Sequence, residues 1–357
     1  MPTSEARALQ SVGKVAPSMT SLLHATTVDL AATPSSVWPS ILELGRPAPT
    51  PHNTQWYFVH VIDSQTARVC IDESIAIPFT DPNDQFRYVG LGVFTRHLEL
   101  AASAAGFELE TTFDELDGTG PVVARIVGRR APDGALTAQL RRRQTSRFAY
   151  GAEPVSDVAI SAAQAVGDGR TSLTMTTDPR IVTAVLELNN EMLLADLEDA
   201  GTSRELDHWI RYTKRSRRRF RSGFTPASLA TATWKIWLVF RLRSLLRLDV
   251  VRRLLTTEYL AQNRAASVGW IYGPLETRGD QFQAGRILMD AWLTLTEHDY
   301  YLQPYGSIIT DEAARARLLQ EIGVDEAPGE MVWMIFRAGM ASPPPRSLRK
   351  PVEEYLR

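Results

Sequence analysis

The chain has 357 residues, 44% hydrophobic and 22% charged, with a net charge of −2 at pH 7 and Cys70 as its one cysteine. That length allows two domain-sized units or one composite fold, the near-neutral balance gives no global attraction for nucleic acid, and a lone cysteine excludes an internal disulfide or thiolate metal cluster and suits a reducing cytoplasm. No apolar run approaches the roughly 20 residues that span a bilayer, and residues 1–7 carry no apolar stretch behind a basic start, so neither a membrane span nor a secretory signal is expected.

Residues 1–34 read as a weakly structured extension with a short helix near Leu9. Ser35 and Ser36 can cap a helix over 35–46, where Val37, Trp38, Ile41 and Leu44 recur at helical spacing. Pro47, Pro49 and Pro51 then forbid helix. Residues 56–62, aromatic and β-branched, predict a strand, and 69–77 a weaker one. Asp81-Pro82-Asn83-Asp84 makes a turn into a long helix over 85–106, striped by Val89, Val93, Leu98 and Ala101 and stopped at Gly106. Strands follow over 107–113 and 122–127.

A second set continues with helices over 136–143 and from Ser156, a strand over 171–176, and a helix over 180–199. An extended stretch lies at 267–272, helices at 281–298 and 311–322, and a strand at 331–338. Residues 92–110 can be laid over 285–303, each a glycine-led helix running into a strand-like exit, which hints at an internal repeat. Between Arg204 and Arg253 there are 14 Lys/Arg against 3 Asp/Glu, an excess of +11 in a chain whose total is −2. In that segment Trp234, Trp237, Leu238, Leu242, Leu245 and Leu248 suggest an amphipathic helix between arginines. Residues 211–221 are especially basic. This charge suits a solvated helical excursion, which is the favoured reading, or a lid that attracts an acidic substrate, a nucleic-acid arm, or an amphipathic membrane-surface arm.

Two stretches carry candidate chemistry. Arg141-Arg142-Arg143-Gln144-Thr145-Ser146-Arg147 is basic and hydroxyl-bearing, as a phosphate grip requires. Pro49-Thr50-Pro51-His52-Asn53-Thr54-Gln55-Trp56 is a proline-rich turn with short polar side chains running into a strand. The six histidines show no zinc spacing, and P-loop, dinucleotide and nucleophile-elbow motifs are absent, so no metal is expected.

Together these stretches resemble the two halves of the FMN-binding signature of the nitroreductase-like flavoprotein superfamily. Arg143, Thr145 and Arg147 resemble its Arg-x-Ser-x-Arg/Lys element, and Thr50, Asn53 and Gln55 its Pro-Ser-x-x-Asn-x-Gln-Pro-Trp turn, with threonine for serine and no proline before the tryptophan. Arg346-Ser347-Leu348-Arg349-Lys350-Pro351 resembles its closing basic segment, with Arg349 and then Arg346 as phosphate contacts. The amide that faces flavin N5 in the family would fall near Tyr305 and Gly306. In the family's homodimers the Arg element precedes the Pro-turn, and one flavin takes each from a different subunit. Here the order is reversed and each half-signature occurs once.

The resemblance is therefore to the single-chain, fused-repeat (Acg-like) branch. It implies an α+β nitroreductase-like fold of antiparallel or mixed sheets flanked by helices, a pseudo-dimer folded into one polypeptide that acts as a monomer. Its first copy would span 35–137 and its second 138–357, with a basic helical insertion at about 200–262. It further implies a cytoplasmic, FMN-dependent oxidoreductase that transfers hydride between flavin N5 and a small organic substrate, with NAD(P)H as possible reductant and a tailoring role in specialised metabolism as one use. A flavin-sequestering protein with a closed lid, or a basic interaction module with a degenerate site, are the alternatives.

Overall fold

The computed structural model describes residues 37–357 apart from 115, 116, 118 and 119. The helix expected near Leu9 and the caps at Ser35 and Ser36 lie outside the described residues. Helix α1 (Trp38–Gly45) buries Trp38, Ile41 and Leu42. The proline-rich turn leads to β1 (Tyr57–Val61) and β2 (Thr66–Ile71). β2 begins earlier and ends sooner than the expected strand at 69–77, because Asp72 accepts from the Ser74 N–H at 3.2 Å and turns the chain.

Helix α2 (Gln85–Ala104) follows. Its orphan N-terminal amides are met from outside the helix: the Asp81 carboxylate accepts from the amides of Gln85 and Phe86 at 3.1 and 2.9 Å. Gly106, at φ 92°, turns the chain out of it into β3 (Phe107–Phe113), β4 (Val122–Arg129) and α3 (Gly134–Arg142).

The second half runs through α4 (Asp157–Gln164), capped by Ser156 as expected, then β5 (Ser172–Thr176) and α5 (Pro179–Glu198). The basic segment holds α6 (Ala200–His208), α7 (Lys214–Phe220), α8 (Thr233–Arg241) and α9 (Asp249–Gln262). The single amphipathic helix expected over 234–248 is broken. α8 ends at Arg241, a 3-10 turn spans Arg243–Arg247, and Leu248 is extended before α9. The chain closes with β6 (Ser267–Pro274), α10 (Arg278–Glu297), β7 (Tyr301–Pro304), α11 (Ser307–Thr310), α12 (Glu312–Ile322) and β8 (Glu330–Gly339).

The fold is α+β, with two four-stranded antiparallel sheets of orders β1-β2-β4-β3 and β5-β6-β8-β7. The two orders are the same permutation, and in each the long helix joins the second strand to the third. α2 and α10 are related by 193 positions at both ends, 85 to 278 and 104 to 297.

These two helices cross where neither can carry a side chain. A Cβ on Gly92 would lie 1.9 Å from the Phe282 carbonyl oxygen, and one on Gly285 would lie 1.8 Å from the Val89 carbonyl oxygen. Glycine faces carbonyl on both sides at the same offset, so the crossing has a local two-fold relation, with 92 over 285 as the sequence alignment has it. Arg96 with Asp290 and Arg286 with Glu99 tie the helices alongside. Trp38, Trp56, Trp292 and Trp333 are fully buried in the core. Among the described residues, no helix is long and apolar enough to cross a membrane.

Candidate functional site

The two sheets bring their outer edges to the proline-rich turn. At edge strand β1, Val59 donates to the Tyr355 carbonyl at 2.7 Å and accepts from the Arg357 amide at 3.0 Å, so residues 355–357 run beside the first sheet. At edge strand β7, Thr145 forms a parallel bridge to Leu302, so the chain leaving α3 runs beside the second. Arg349 therefore arrives from one side and Arg143 from the other. They meet at one acceptor, the Pro47 carbonyl, which receives Arg143 Nη2 at 2.7 Å and Arg349 Nη2 at 2.8 Å.

The turn is rigid and costly. His52, Asn53 and Gln55 hold φ of 48°, 54° and 55°, left-handed values that side-chain-bearing residues adopt only when their surroundings compel it. Thr50 supplies part of that compulsion, its Oγ1 accepting the Gln55 amide at 3.0 Å. The rest comes from distant chain. Asn53 Nδ2 donates to the carbonyls of Gly223 and Leu348, both at 3.0 Å, and its Oδ1 accepts from Arg349 at 2.5 Å. Gln55 Nε2 donates to the Arg221 carbonyl at 3.0 Å, and its Oε1 accepts from the Lys350 amide at 2.8 Å and the Tyr355 hydroxyl at 2.7 Å. The Gly223 amide returns to the Asn53 carbonyl at 3.0 Å. A strap of the basic segment, residues 221–224, thus lies bonded across the turn.

The electrostatics of the cation pair are lopsided. Arg143 is buried and Arg349 partly so, and among the described residues no carboxylate pairs with either. Arg143 also sits 4.9 Å over the Trp292 ring. Its Nε and Nη1, and Arg349 Nε, are buried donors with no partner. Burial, and then the charge of Arg349, draws Arg143 down to about 9, while burial lowers Arg349 as well. His97, on α2, bonds the Leu44 carbonyl through Nε2 at 3.0 Å and is drawn to about 3 by burial and by Arg143, so it adds no charge at neutral pH. Buried cations normally find acids, since an uncompensated one costs several kcal/mol. Three donors without a protein partner thus stand beside two cations that no carboxylate meets, a donor set suited to an anion.

Arg147 occupies the neighbouring space, 4.8 Å over the Phe224 ring and donating to the Ser228 carbonyl at 3.4 Å. Burial draws it to about 10. His52 packs edge-on to the same Phe224 ring and is drawn to about 4 by burial and then by Arg147; its Nδ1 is buried and unpartnered.

The structure therefore brings Thr50, Asn53, Gln55, Arg143 and Arg349 into one network, with Arg147 against the strap. Thr145 lies between Arg143 and Arg147 in the chain, and its backbone bridges to Leu302 and not to this network. Arg346 is exposed and donates to the Arg141 carbonyl at 3.3 Å, away from the Arg143–Arg349 pair. Tyr305 is buried, but its amide is committed to the Ile335 carbonyl at 2.8 Å, and Gly306 opens α11. Sequence reasoning missed the Pro47 carbonyl, His97, Trp292 and the strap. Of these only the strap left a trace, in Gly223, whose φ of 79° only glycine takes easily.

Two surface cavities lie elsewhere. One of about 400 Å³ is lined by Ile75, Phe79, Arg204, Glu205 and Trp209, and one of about 620 Å³ by Phe58, His60, Arg68, Cys70 and Arg357. The Cys70 thiol is pushed up to about 11, chiefly by burial, which leaves it a poor nucleophile. Among the described residues, no group of His, Cys, Asp and Glu is placed to hold a metal ion.

No family model matches the chain, and no curated protein matches it. Solved structures do. The chain is similar to a nitroreductase with bound FMN from Bacteroides fragilis NCTC 9343, at 13% identity over 59% of this chain and 90% of that one, with a TM-score of 0.34. It is similar to the FMN and NADPH-dependent nitroreductase NfnB from Sphigopyxis sp. strain HMH, at 16% identity over 61% and 96%, with a TM-score of 0.36. It is also similar to a BluB-like flavoprotein from Clostridium difficile 630, at 14% identity over 62% and 97%, with a TM-score of 0.33.

Proposed function

We propose that the anion at Arg143 and Arg349 is the phosphate of FMN, and that the chain is a nitroreductase-like oxidoreductase holding its flavin within one polypeptide. The observation that carries this reading is the acid-free arginine pair, whose Arg143 Nε and Nη1 and Arg349 Nε have no partner. A phosphate supplies the acceptors and the charge that the pair lacks, and charge-assisted bonds in dry surroundings are the strong ones. When bound, the flavin would supply hydride transfer at N5 to or from a small organic molecule, with NAD(P)H as the reductant.

The chain's own groups bind, orient and shield. Arg143 and Arg349 fix the phosphate end, with Thr145 beside them. Asn53 and Gln55, already engaged by Leu348, Arg221 and Gly223, act by positioning Arg349 and closing the strap. Arg147, His52 and Phe224 line the neighbouring space, where neutral His52 adds no charge. The strap is bonded across the turn through Asn53 and Gln55. That closure favours one alternative, a protein that sequesters flavin with little turnover.

Purified protein should carry about one FMN per chain, bind FMN in preference to riboflavin, and bleach with NADPH under anaerobic conditions. A colourless chain that stays empty with added FMN defeats the proposal. A yellow chain reduced by dithionite and never by NADPH selects sequestration. Replacing Arg143 and Arg349 together by Ala should erase the preference for FMN over riboflavin, each charged contact contributing about 1.5–3 kcal/mol.

A further inference from the structure

The hairpin-like α8–α9 unit is anchored by one face and leaves the other uncovered. Leu246, only 2% exposed, packs with Leu194 and Leu197 of α5, and Val239, Phe240, Val251 and Leu255 gather on the same cluster. Ile236 is buried as well. An amphipathic helix would present polar residues on the opposite side. α8 instead presents Trp234, Trp237, Leu238 and Arg241, an i, i+3, i+4, i+7 stripe whose tryptophans are 63% and 52% exposed. Leu242, Leu245 and Leu248 continue the exposed apolar run through the 3-10 turn, and Val250 and Leu254 of α9 are 79% and 67% exposed.

Cations are threaded through this apolar face. Lys235 pairs with Glu258 and Arg252 with Glu198, but among the described residues Arg241, Arg243, Arg247 and Arg253 make no ion pair. Arg241 lies 5.7 Å from the Trp237 ring centre and Lys235 5.8 Å from that of Trp234. Indole beside guanidinium or ammonium, with aliphatic side chains between, matches the level of a bilayer where headgroups meet acyl chains. We propose that this face docks on an anionic lipid membrane, lying flat in the headgroup layer.

Charge selects this occupant. A second copy of the chain would bring the same unpaired arginines against themselves, and nucleic acid would stack on the two indoles but leave the six aliphatic side chains around them in water. Neutral lipid would take the indoles and leucines but leave the arginines without counter-charge, whereas anionic headgroups satisfy both.

The test uses the full chain with vesicles of phosphatidylcholine, with and without phosphatidylglycerol. The protein should sediment with the anionic vesicles, bind the neutral ones far less, and be released by salt. A Trp234→Ser, Trp237→Ser, Leu254→Ser variant should lose binding while its unfolding midpoint stays unchanged, since these side chains are exposed. Arg243→Gln, Arg247→Gln, Arg253→Gln together should lower the partition coefficient on the order of a hundredfold, roughly fivefold for each charge removed. Failure to bind anionic vesicles, equal binding to both kinds, or full binding by the Trp/Leu variant overturns the proposal. So does a concentration-dependent dimer that the same variant abolishes, with no vesicle binding.

Discussion

Arg143 separates two quantities that usually move together. In the ligand-free chain its charge is a liability, buried beside Arg349 with no acid; in the proposed complex it is half of the phosphate grip. Arg143→Met removes the charge and keeps an apolar stem against Trp292. Denaturant unfolding without flavin should show stability unchanged or raised by about 1 kcal/mol, because apolar replacement of a buried ion is often neutral or favourable. FMN affinity of the same variant should fall at least about tenfold. A merely structural arginine would lose stability and leave affinity alone. That Arg143 and Arg349 approach the turn was legible in the sequence, because each stands in a short basic motif. The carbonyl of Pro47, which aligns both cations, was not, because a backbone oxygen has no signature in a side-chain pattern.

Among the elements, α2 carries the most architecture and offers two tests. His97 joins it to α1 through the Leu44 carbonyl. Its folded value of about 3 lies below the ordinary 6.5, so the unfolded chain binds more protons between them. Its stabilising contribution is fully present above 6.5 and is lost as pH falls towards 3, with a slope reaching about 1.4 kcal/mol per pH unit. Asp81 and Asp196, raised to about 6 chiefly by burial, act in the opposite sense: their contribution is complete below 3.8 and lost as pH rises through 6. Total acid sensitivity therefore mixes the two, and His97→Gln, which keeps a donor for Leu44, isolates one. Its stability should fall less than that of the parent chain between pH 6 and 4 in urea titrations.

The second test is the crossing of α2 and α10. Gly92→Ala or Gly285→Ala drives a methyl into a carbonyl oxygen across the interface, which backbone cannot yield locally. Each should cost about 3 kcal/mol or more, and the pair should cost less than the sum, since one collision already parts the helices. Gly134→Ala, with nothing within 4 Å of the added methyl, is the control and should be neutral or slightly stabilising. The long helices and most strands could be read from apolar periodicity. The breaks in the basic segment could not, because apolar residues on both faces of α8 blur the period that marks a helix.

Across Val37–Arg357 the repeat is symmetric in its sheets and asymmetric in its site. The second half matches the first strand for strand, yet ahead of β5 it reads Gln164-Ala165-Val166-Gly167-Asp168-Gly169 where the first half has its polar turn ahead of β1. It also places α5 to α9 between its first two strands, where the first half has only residues 62–65. That excursion sends the strap back over the turn of the other half. The reversed order of the half-signatures made the meeting of Arg143 with the turn legible in the sequence, but the strap depends on a tertiary return that no local pattern records. If the strap gates the flavin, loosening it should change rates more than affinity. Gly223→Ala places a methyl 2.2 Å from the Trp209 carbonyl oxygen at a φ of 79°, so the strap must lift from Asn53. Stopped-flow mixing with FMN should then show association and release both faster by about tenfold, with the equilibrium constant shifted less than either, because the proposed phosphate grip at Arg143 and Arg349 is untouched. A variant that loses affinity through release alone would make the strap part of the binding surface and not its gate.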